Sequence, residues 1–311
     1  MHDEQALELA VQMVECEKAR RWRRTMVTSS SGDLKYELVE GWGQLPEGWR
    51  WGQVGGVAVD SKDQVYVFTR TEHPLMIFDR DGKFVDSWGE DLFTDAHGIC
   101  IGPDDSLYLV DRVPQVAMKF SPDRQLLFTM GNRGQPSDTG YTDENRTVLY
   151  AGPPFHHPTD ATLSSQGEIY ISDGYRNSRV HKFSMEGDLI ESWGDPGDGP
   201  RQFRNVHSVW QHKGRLYVAD RENNRLQVFT TDGEHIETWP GFLQPCKIYI
   251  DQDDIMYVAE LGARVSILDL QGNVLSRWGG ERSHEPGLFW GPHGIWTDSH
   301  GDLYVCEVLD G

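Results

Sequence analysis

The sequence predicts an all-β protein, a six-bladed β-propeller with an N-terminal helix. One pattern of three short strands, clearest in VHSVWQHKGRLYVADRENNRLQVF from Val206, recurs six times along the 311 residues. Gly and Asp turns separate the strands, and a fourth strand follows most copies. Repeated units of four short strands are typical of small sheets arranged radially around one axis.

The repeats account for most of the chain. They begin at Val54, Ala96, His157, Val206, Pro245 and Pro292. Four of them end in a similar strand, as in FVDSWG, and we expect its tryptophan to anchor each blade: Trp88, Trp193, Trp239 and Trp278. We therefore assign residues 33–311 to one propeller and residues 1–32 to a helix and linker.

The two ends of the chain are expected to meet. The last repeat has only two strands, so an N-terminal strand near Tyr36 to Trp42 is predicted to complete the sixth blade and close the ring. Asp3 to Arg23 is predicted to form one helix, because apolar residues recur at helical spacing and the charges suit the helix dipole. Such a helix would pack on the propeller or on a second copy, which leaves a homo-oligomer open.

One long insertion, Asn132 to Pro154, interrupts the repeats and is rich in Gly, Pro, Asp and Thr. Loops of this length in compact folds are usually functional or mobile. Two interpretations stay open: a lid over one end of the central channel, or a loop with no role there.

Composition narrows the range of partners and compartments. A net charge of −20 argues against nucleic acid and anionic membranes. The sequence has no apolar run long enough to span a bilayer and no apolar core typical of a signal peptide, so we predict a cytoplasmic protein. The four cysteines are not spaced like a disulfide framework and are expected to be reduced: Cys16, Cys100, Cys246 and Cys306.

Aligning the repeats compares the residue at the start of the first strand of each blade, which is the strand nearest the axis. The residues at this position form a pattern that suits a metal site. The equivalent positions of the six repeats hold Gly55, His97, Thr159, His207, Cys246 and His293. Histidines therefore stand in the second, fourth and sixth repeats. Alternate blades of a six-fold ring lie about 120° apart, so three imidazoles can converge on its axis as ligands of a metal ion. The alternative is that each histidine only caps its own strand by hydrogen bonding.

The residues after the second strand are candidates for the channel mouth. Arg70 and Arg221 offer forked donors that suit a carboxylate or oxyanion. Tyr175, in DGYRNSR, is a candidate general base if a cation lies nearby. For Arg112 and Glu260 at the same position we favour a role in turns and ion pairs.

Four segments resemble the catalytic core of peptidyl-α-hydroxyglycine α-amidating lyase, a six-bladed propeller of NHL-type repeats. They are HGI at His97, PTDATLSSQGEIYISDGYRNSRVHKFS at Pro158, the Val206 segment and PHGIW at Pro292. The resemblance extends from Val54 to the C-terminus. It implies that His97, His207 and His293 bind zinc (Zn2+), with another divalent transition metal open. It also implies that Tyr175 is the catalytic base and that Arg70 and Arg221 are catalytic.

The chain departs from that family at several positions. The family has a structural calcium (Ca2+) on backbone oxygens that map to Val57 and Ile99, plus an aspartate where this chain has Gly294. The family's disulfide cysteines are absent, and Gly291 stands in place of an expected methionine. The monooxygenase domain that makes the family's peptide substrate is also missing from this sequence.

The expected activity is that of a lyase on a small-molecule substrate. It would cleave the C–N bond of an α-hydroxyglycine-like or other N-acyl carbinolamine, releasing an amide and a carbonyl product. Two alternatives remain. A metal-dependent propeller hydrolase or lactonase would activate water instead, and a non-catalytic NHL-type module would bind a ligand or protein on its face.

Overall fold

Six four-stranded antiparallel sheets form a closed ring in the computed structural model, which describes residues 18–25 and 34–309. The predicted six-bladed propeller is confirmed. The first three blades contain β3 (Val54–Val59), β4 (Val65–Thr69), β5 (Leu75–Phe78), β6 (Phe84–Trp88), β7 (Ala96–Ile101), β8 (Leu107–Asp111), β9 (Val116–Phe120), β10 (Leu126–Met130), β11 (Pro158–Leu163), β12 (Ile169–Asp173), β13 (Arg179–Phe183) and β14 (Leu189–Trp193).

A short parallel pair follows the third blade, formed by β15 (Asp195–Pro196) and β16 (Gln202–Phe203). The other three blades contain β17 (Val206–His212), β18 (Arg215–Asp220), β19 (Arg225–Thr230), β20 (His235–Pro240), β21 (Pro245–Ile250), β22 (Met256–Glu260), β23 (Arg264–Leu268), β24 (Val274–Gly279), β25 (Pro292–Thr297), β26 (Leu303–Glu307), β1 (Ala19–Thr25) and β2 (Lys35–Val39).

Two N-terminal strands complete the sixth blade. Its strand order is β2-β1-β26-β25, so β1 pairs with β26 and β2 lies outermost. The side chain of Trp22 in β1 is buried, and its ring lies 5.3 Å from that of Phe289. This pairing covers the edge that the two C-terminal strands would otherwise expose.

The predicted N-terminal helix is wrong from Ala19 to Arg23, which belong to β1. Residues 3–17 of that prediction lie outside the described residues. Within residues 18–25 and 34–309 the only helical element is a 3-10 turn at Arg221–Asn223, and no helix is long and apolar enough to cross a membrane. A strand forms here because its backbone pairs with the open edge of β26. In this conformation the Arg21 guanidinium also lies 2.5 Å from the Asp302 carboxylate in the interior.

A β-bulge at the start of each inner strand sets what each blade presents to the axis. In all six blades the pairing register shifts across one residue: Gly55, His97, Thr159, His207, Cys246 and His293. A bulge residue is left out of the ladder and its side chain is redirected. These are the positions that the repeat alignment singled out.

Aromatic side chains of the outer strands link neighbouring blades. Trp193 of the third blade is buried beneath Gly233, a turn residue of the fourth, and a Cβ at that glycine would lie 2.8 Å from the indole. Trp239 and Gly272 repeat the contact between the fourth and fifth blades. Both glycines have positive φ angles, so only glycine meets the turn geometry and the close ring contact together.

Candidate metal centre

Three histidines from alternate blades converge on the ring axis. The ring centroids of His97, His207 and His293 are 4.8–4.9 Å apart, and one nitrogen of each lies within 4.8 Å of the others. All three are buried, with 1–3% of their surface exposed. Three imidazoles that meet in this way could hold a metal ion.

Each of these histidines is oriented by a backbone carbonyl of the next blade. The acceptors are the bulge residues themselves: Nδ1 lies 2.7 Å from Thr159 O for His97, 2.9 Å from Cys246 O for His207, and 2.7 Å from Gly55 O for His293. Because a carbonyl oxygen can only accept, Nδ1 carries the proton in all three rings. The Nε2 lone pair is therefore available on the axis, as metal ligation requires.

Burial keeps these rings neutral. Desolvation is the largest cause that lowers the pKa of each histidine, and neighbouring positive charges lower it further. The pKa of His293 falls to about 3 and those of His97 and His207 fall well below the ordinary value. Neutral imidazole is the form that binds a metal.

The hydrogen bonding of the Nε2 atoms fits ligation of a metal ion. His293 Nε2 is buried and has no hydrogen-bond partner among the described residues. His97 and His207 Nε2 lie 3.3 and 3.1 Å from the Tyr175 hydroxyl, which has one proton and can donate to only one of them. A divalent transition metal would satisfy these lone pairs, so the donor set fits zinc or a similar ion.

Tyr175 lies between the histidines and two cations. Arg221 Nη1 donates to its hydroxyl at 3.2 Å, and the Arg112 guanidinium lies 4.5 Å above its ring. The tyrosine is half-buried, and its oxygen contacts two of the axial histidines as well as Arg221. Both guanidinium groups therefore contact the phenol, one at its oxygen and one over its ring.

Arg70 is placed differently from Arg221. Its Nε lies 2.7 Å from Asp95 Oδ1, and its Nη1 donates to Gln53 Oε1 at 2.8 Å. Arg112 Nε donates to the other Asp95 oxygen at 2.6 Å, so one carboxylate holds two arginines at the rim. Sequence reasoning missed Asp95, although it stands just two residues before His97.

Arg112, for which the sequence favoured a role in turns and ion pairs, is paired with Asp95 as expected. Its guanidinium also covers the Tyr175 ring. Glu260, by contrast, supports its turn by accepting a hydrogen bond from the Arg264 guanidinium at 2.6 Å.

Cys246, the bulge residue of the fifth blade, is buried beside the centre. Desolvation raises the pKa of its thiol to about 11, so the thiol stays neutral.

The insertion of residues 132–154 packs against the turn that carries Tyr175. Asn177 and Gly152 exchange two hydrogen bonds, of 2.6 and 3.2 Å. The Arg176 guanidinium lies 4.6 Å over the Tyr141 ring of the insertion. The insertion therefore borders the rim of the centre, and its action as a lid stays a prediction.

Val57 and Ile99, the backbone positions expected for calcium, each lie two residues after the bulge residue of their inner strand. The Lys247 ammonium stands 3.5 Å from the Ile99 carbonyl oxygen, and Gly294 offers no side chain. The residues present here do not fit a calcium ion.

Fold and site together define a six-bladed propeller with a three-histidine centre that could hold a metal ion. Residues 155–183 and 204–229 match the NHL repeat. Over 215 residues the chain is 32% identical to peptidylglycine alpha-amidating monooxygenase of Rattus norvegicus, covering 58% of this chain and 21% of that protein. It is 28% identical over 319 residues to peptidyl-alpha-hydroxyglycine alpha-amidating lyase 2 of Drosophila melanogaster, covering 87% and 72%.

The chain thus contains NHL repeats and is a homologue of the peptidyl-α-hydroxyglycine α-amidating lyases at modest identity, as the resemblance of its motifs indicated. It spans about a fifth of the length of the rat protein. Among solved structures, a streptogramin B lyase superposes with a TM-score of 0.59 at 12% identity, covering 95% of this chain and 92% of that one. At this identity the likeness concerns the fold alone.

Proposed function

We propose that this protein is a metal-dependent lyase that cleaves the C–N bond of an N-acyl carbinolamine. The observation that carries the proposal is the convergence of three neutral imidazoles with the Tyr175 hydroxyl, which lies 3.1–3.3 Å from two of them. A zinc ion, or another divalent transition metal, held by His97, His207 and His293 would lower the pKa of a substrate hydroxyl bound to it.

The remaining chemistry falls to the side chains. Tyr175 would accept the proton of the carbinolamine hydroxyl, and Arg221 Nη1, which lies 3.2 Å from the phenol oxygen, would hold that oxygen in place. As the carbonyl double bond forms, the C–N bond breaks and the electron pair moves to nitrogen. Tyr175 then returns its proton to that nitrogen, so the products are a primary amide and an aldehyde or glyoxylate.

Substrate orientation is proposed to depend on the rim. Arg70 and Arg112 are held by Asp95, and their charge beside the centre suits a substrate with a carboxylate. A small acid is compatible with this arrangement, and it requires no peptide chain.

The test is a product assay with Tyr175→Phe. Metal-loaded protein should convert α-hydroxyhippurate to benzamide and glyoxylate, and the variant should turn over about two to four orders of magnitude more slowly with unchanged metal content. Tyr66→Phe, in the second strand of blade one and hydrogen-bonded to Asp60, is the matched control. If N-acyl carbinolamines are untouched while a lactone or ester is hydrolysed, the hydrolase alternative replaces the lyase.

A further inference from the structure

The residues that directly follow the six bulges form a second layer across the axis. In three blades this residue is glycine, and in the other three it is polar: Gly56, Gly98, Gly294, Asp160, Ser208 and Lys247. The three glycines are closely packed by neighbouring strands and add no side chain to this layer. The Lys247 side chain crosses from the fifth blade toward the second and third. We call Ile99, Asp160, Ser208 and Lys247 the hub.

The hub contains an ion pair removed from water. The Lys247 ammonium donates to Asp160 Oδ1 at 2.6 Å, and only 6% and 3% of the two residues are exposed. The same ammonium lies 3.5 Å from Ile99 O and 5.5 Å above the Trp210 ring. A buried ammonium persists only where a carboxylate, carbonyls or aromatic faces replace its hydration, and here all three are present.

The hub links four blades. Ser208 Oγ of the fourth blade donates to the second Asp160 oxygen at 2.6 Å and accepts from Ile248 N of the fifth at 3.1 Å. Asp160 belongs to the third blade and Ile99 to the second. One lysine therefore connects inner strands that share no sheet hydrogen bonds.

We propose that Lys247 is a built-in cation that takes the place of a structural calcium ion and makes the ring independent of calcium. The ammonium stands beside the Ile99 carbonyl, which the calcium would need. The third ligand position is closed, because a Cβ at Gly294 would lie 2.6 Å from Cys306 Sγ and 3.0 Å from Gly56 Cα.

The available space leads to the same conclusion. The cavity shared by the three histidines and Lys247 measures about 10 Å³. A cavity of that volume holds about one water molecule. A calcium ion, by contrast, needs roughly six to eight oxygen ligands around it. A single small ion at the histidines is compatible with this space, and a second hydrated cation in the hub is not.

The first experiment measures calcium in the full-length protein, with zinc kept saturating so that the histidine centre does not change. After dialysis against calcium-free buffer, elemental analysis should find far less than one calcium per chain. Millimolar calcium should leave the melting temperature unchanged. Stoichiometric calcium, or a melting temperature that rises with added calcium, would overturn the proposal.

The second experiment removes the charge. Lys247→Met keeps an unbranched apolar stem but leaves Asp160 buried without a cation, so it should melt about 5–12 °C lower. Lys62→Met, at an exposed lysine in the β3–β4 turn, is the control and should change melting by less than about 2 °C. Equal effects of the two substitutions would contradict the assigned role.

Ser208→Ala keeps the test decisive if Lys247→Met does not fold. It retains both charges and removes only the hydroxyl that joins Asp160 to the fifth blade, and a decrease of about 2–5 °C is expected. An unchanged melting temperature in this variant would show that the hub does not hold the blades together.

Discussion

Replacing His207 with asparagine removes one Nε2 ligand from the axis and leaves the fold nearly intact. The asparagine amide can still donate to the Cys246 carbonyl, which now accepts from His207 Nδ1 at 2.9 Å. The two remaining imidazoles cannot hold a metal ion with three protein ligands. We therefore expect His207→Asn to lose the metal without losing its secondary structure.

The size of the effect follows from linkage. A ligand that binds only the folded state, at 100 times its dissociation constant, stabilises that state by about 2.7 kcal/mol. For a chain of this size that corresponds to an increase in melting temperature of roughly 5–10 °C. Zinc added to metal-free wild type should produce this increase, and for His207→Asn the increase should be below about 1 °C.

The assay combines elemental analysis with thermal melts in the presence and absence of zinc. His235→Asn is the matched control, because His235 lies in β20 of the same blade and contacts Thr238 rather than the axis. The control should behave as wild type. Full stoichiometric metal in His207→Asn, with a zinc-dependent increase equal to that of wild type, would refute the three-histidine centre.

Two further predictions concern the rim and the closure of the ring. Asp95→Asn weakens the ion pairs that hold Arg70 and Arg112. The KM for an anionic substrate should therefore rise about tenfold or more, with a smaller change in kcat. The KM for an uncharged substrate should not rise in this way. Deleting residues 1–43 removes β1 and β2 and exposes the edge of β26, so the truncated chain should melt at least about 10 °C lower. Deleting residues 1–17 is its control, since every strand described here remains, and equal melting of the two truncations would reject this closure.

Local periodicity explains why so much of the ring could be predicted. Strand alternation and turn residues repeat in each unit, so alignment identified the one residue per blade that the bulge turns toward the axis. The sequence could predict that His97, His207 and His293 face the axis, because they share this local geometry. Their tautomer could not be predicted, because the carbonyls that orient them lie in neighbouring blades, between 39 and 238 residues away.

Contacts between blades were decided only by the tertiary structure. Asp95 and Arg70 stand 25 positions apart and carry no periodic signal that would mark them as partners. Ala19 to Arg23 follows a stretch with helical spacing, yet it forms a strand because an open sheet edge supplies hydrogen bonds that the local sequence does not encode.

The sequence by itself thus determined the repeat, the blade architecture and the residue that each blade turns toward the axis, because these depend on spacing within one unit. Closure of the ring decided the rest. It brought Lys247 to Asp160 across 87 positions and β1 to β26 across the whole chain. The burial of a charge or the pairing of an edge depends on which distant segments meet, and no local pattern specifies that.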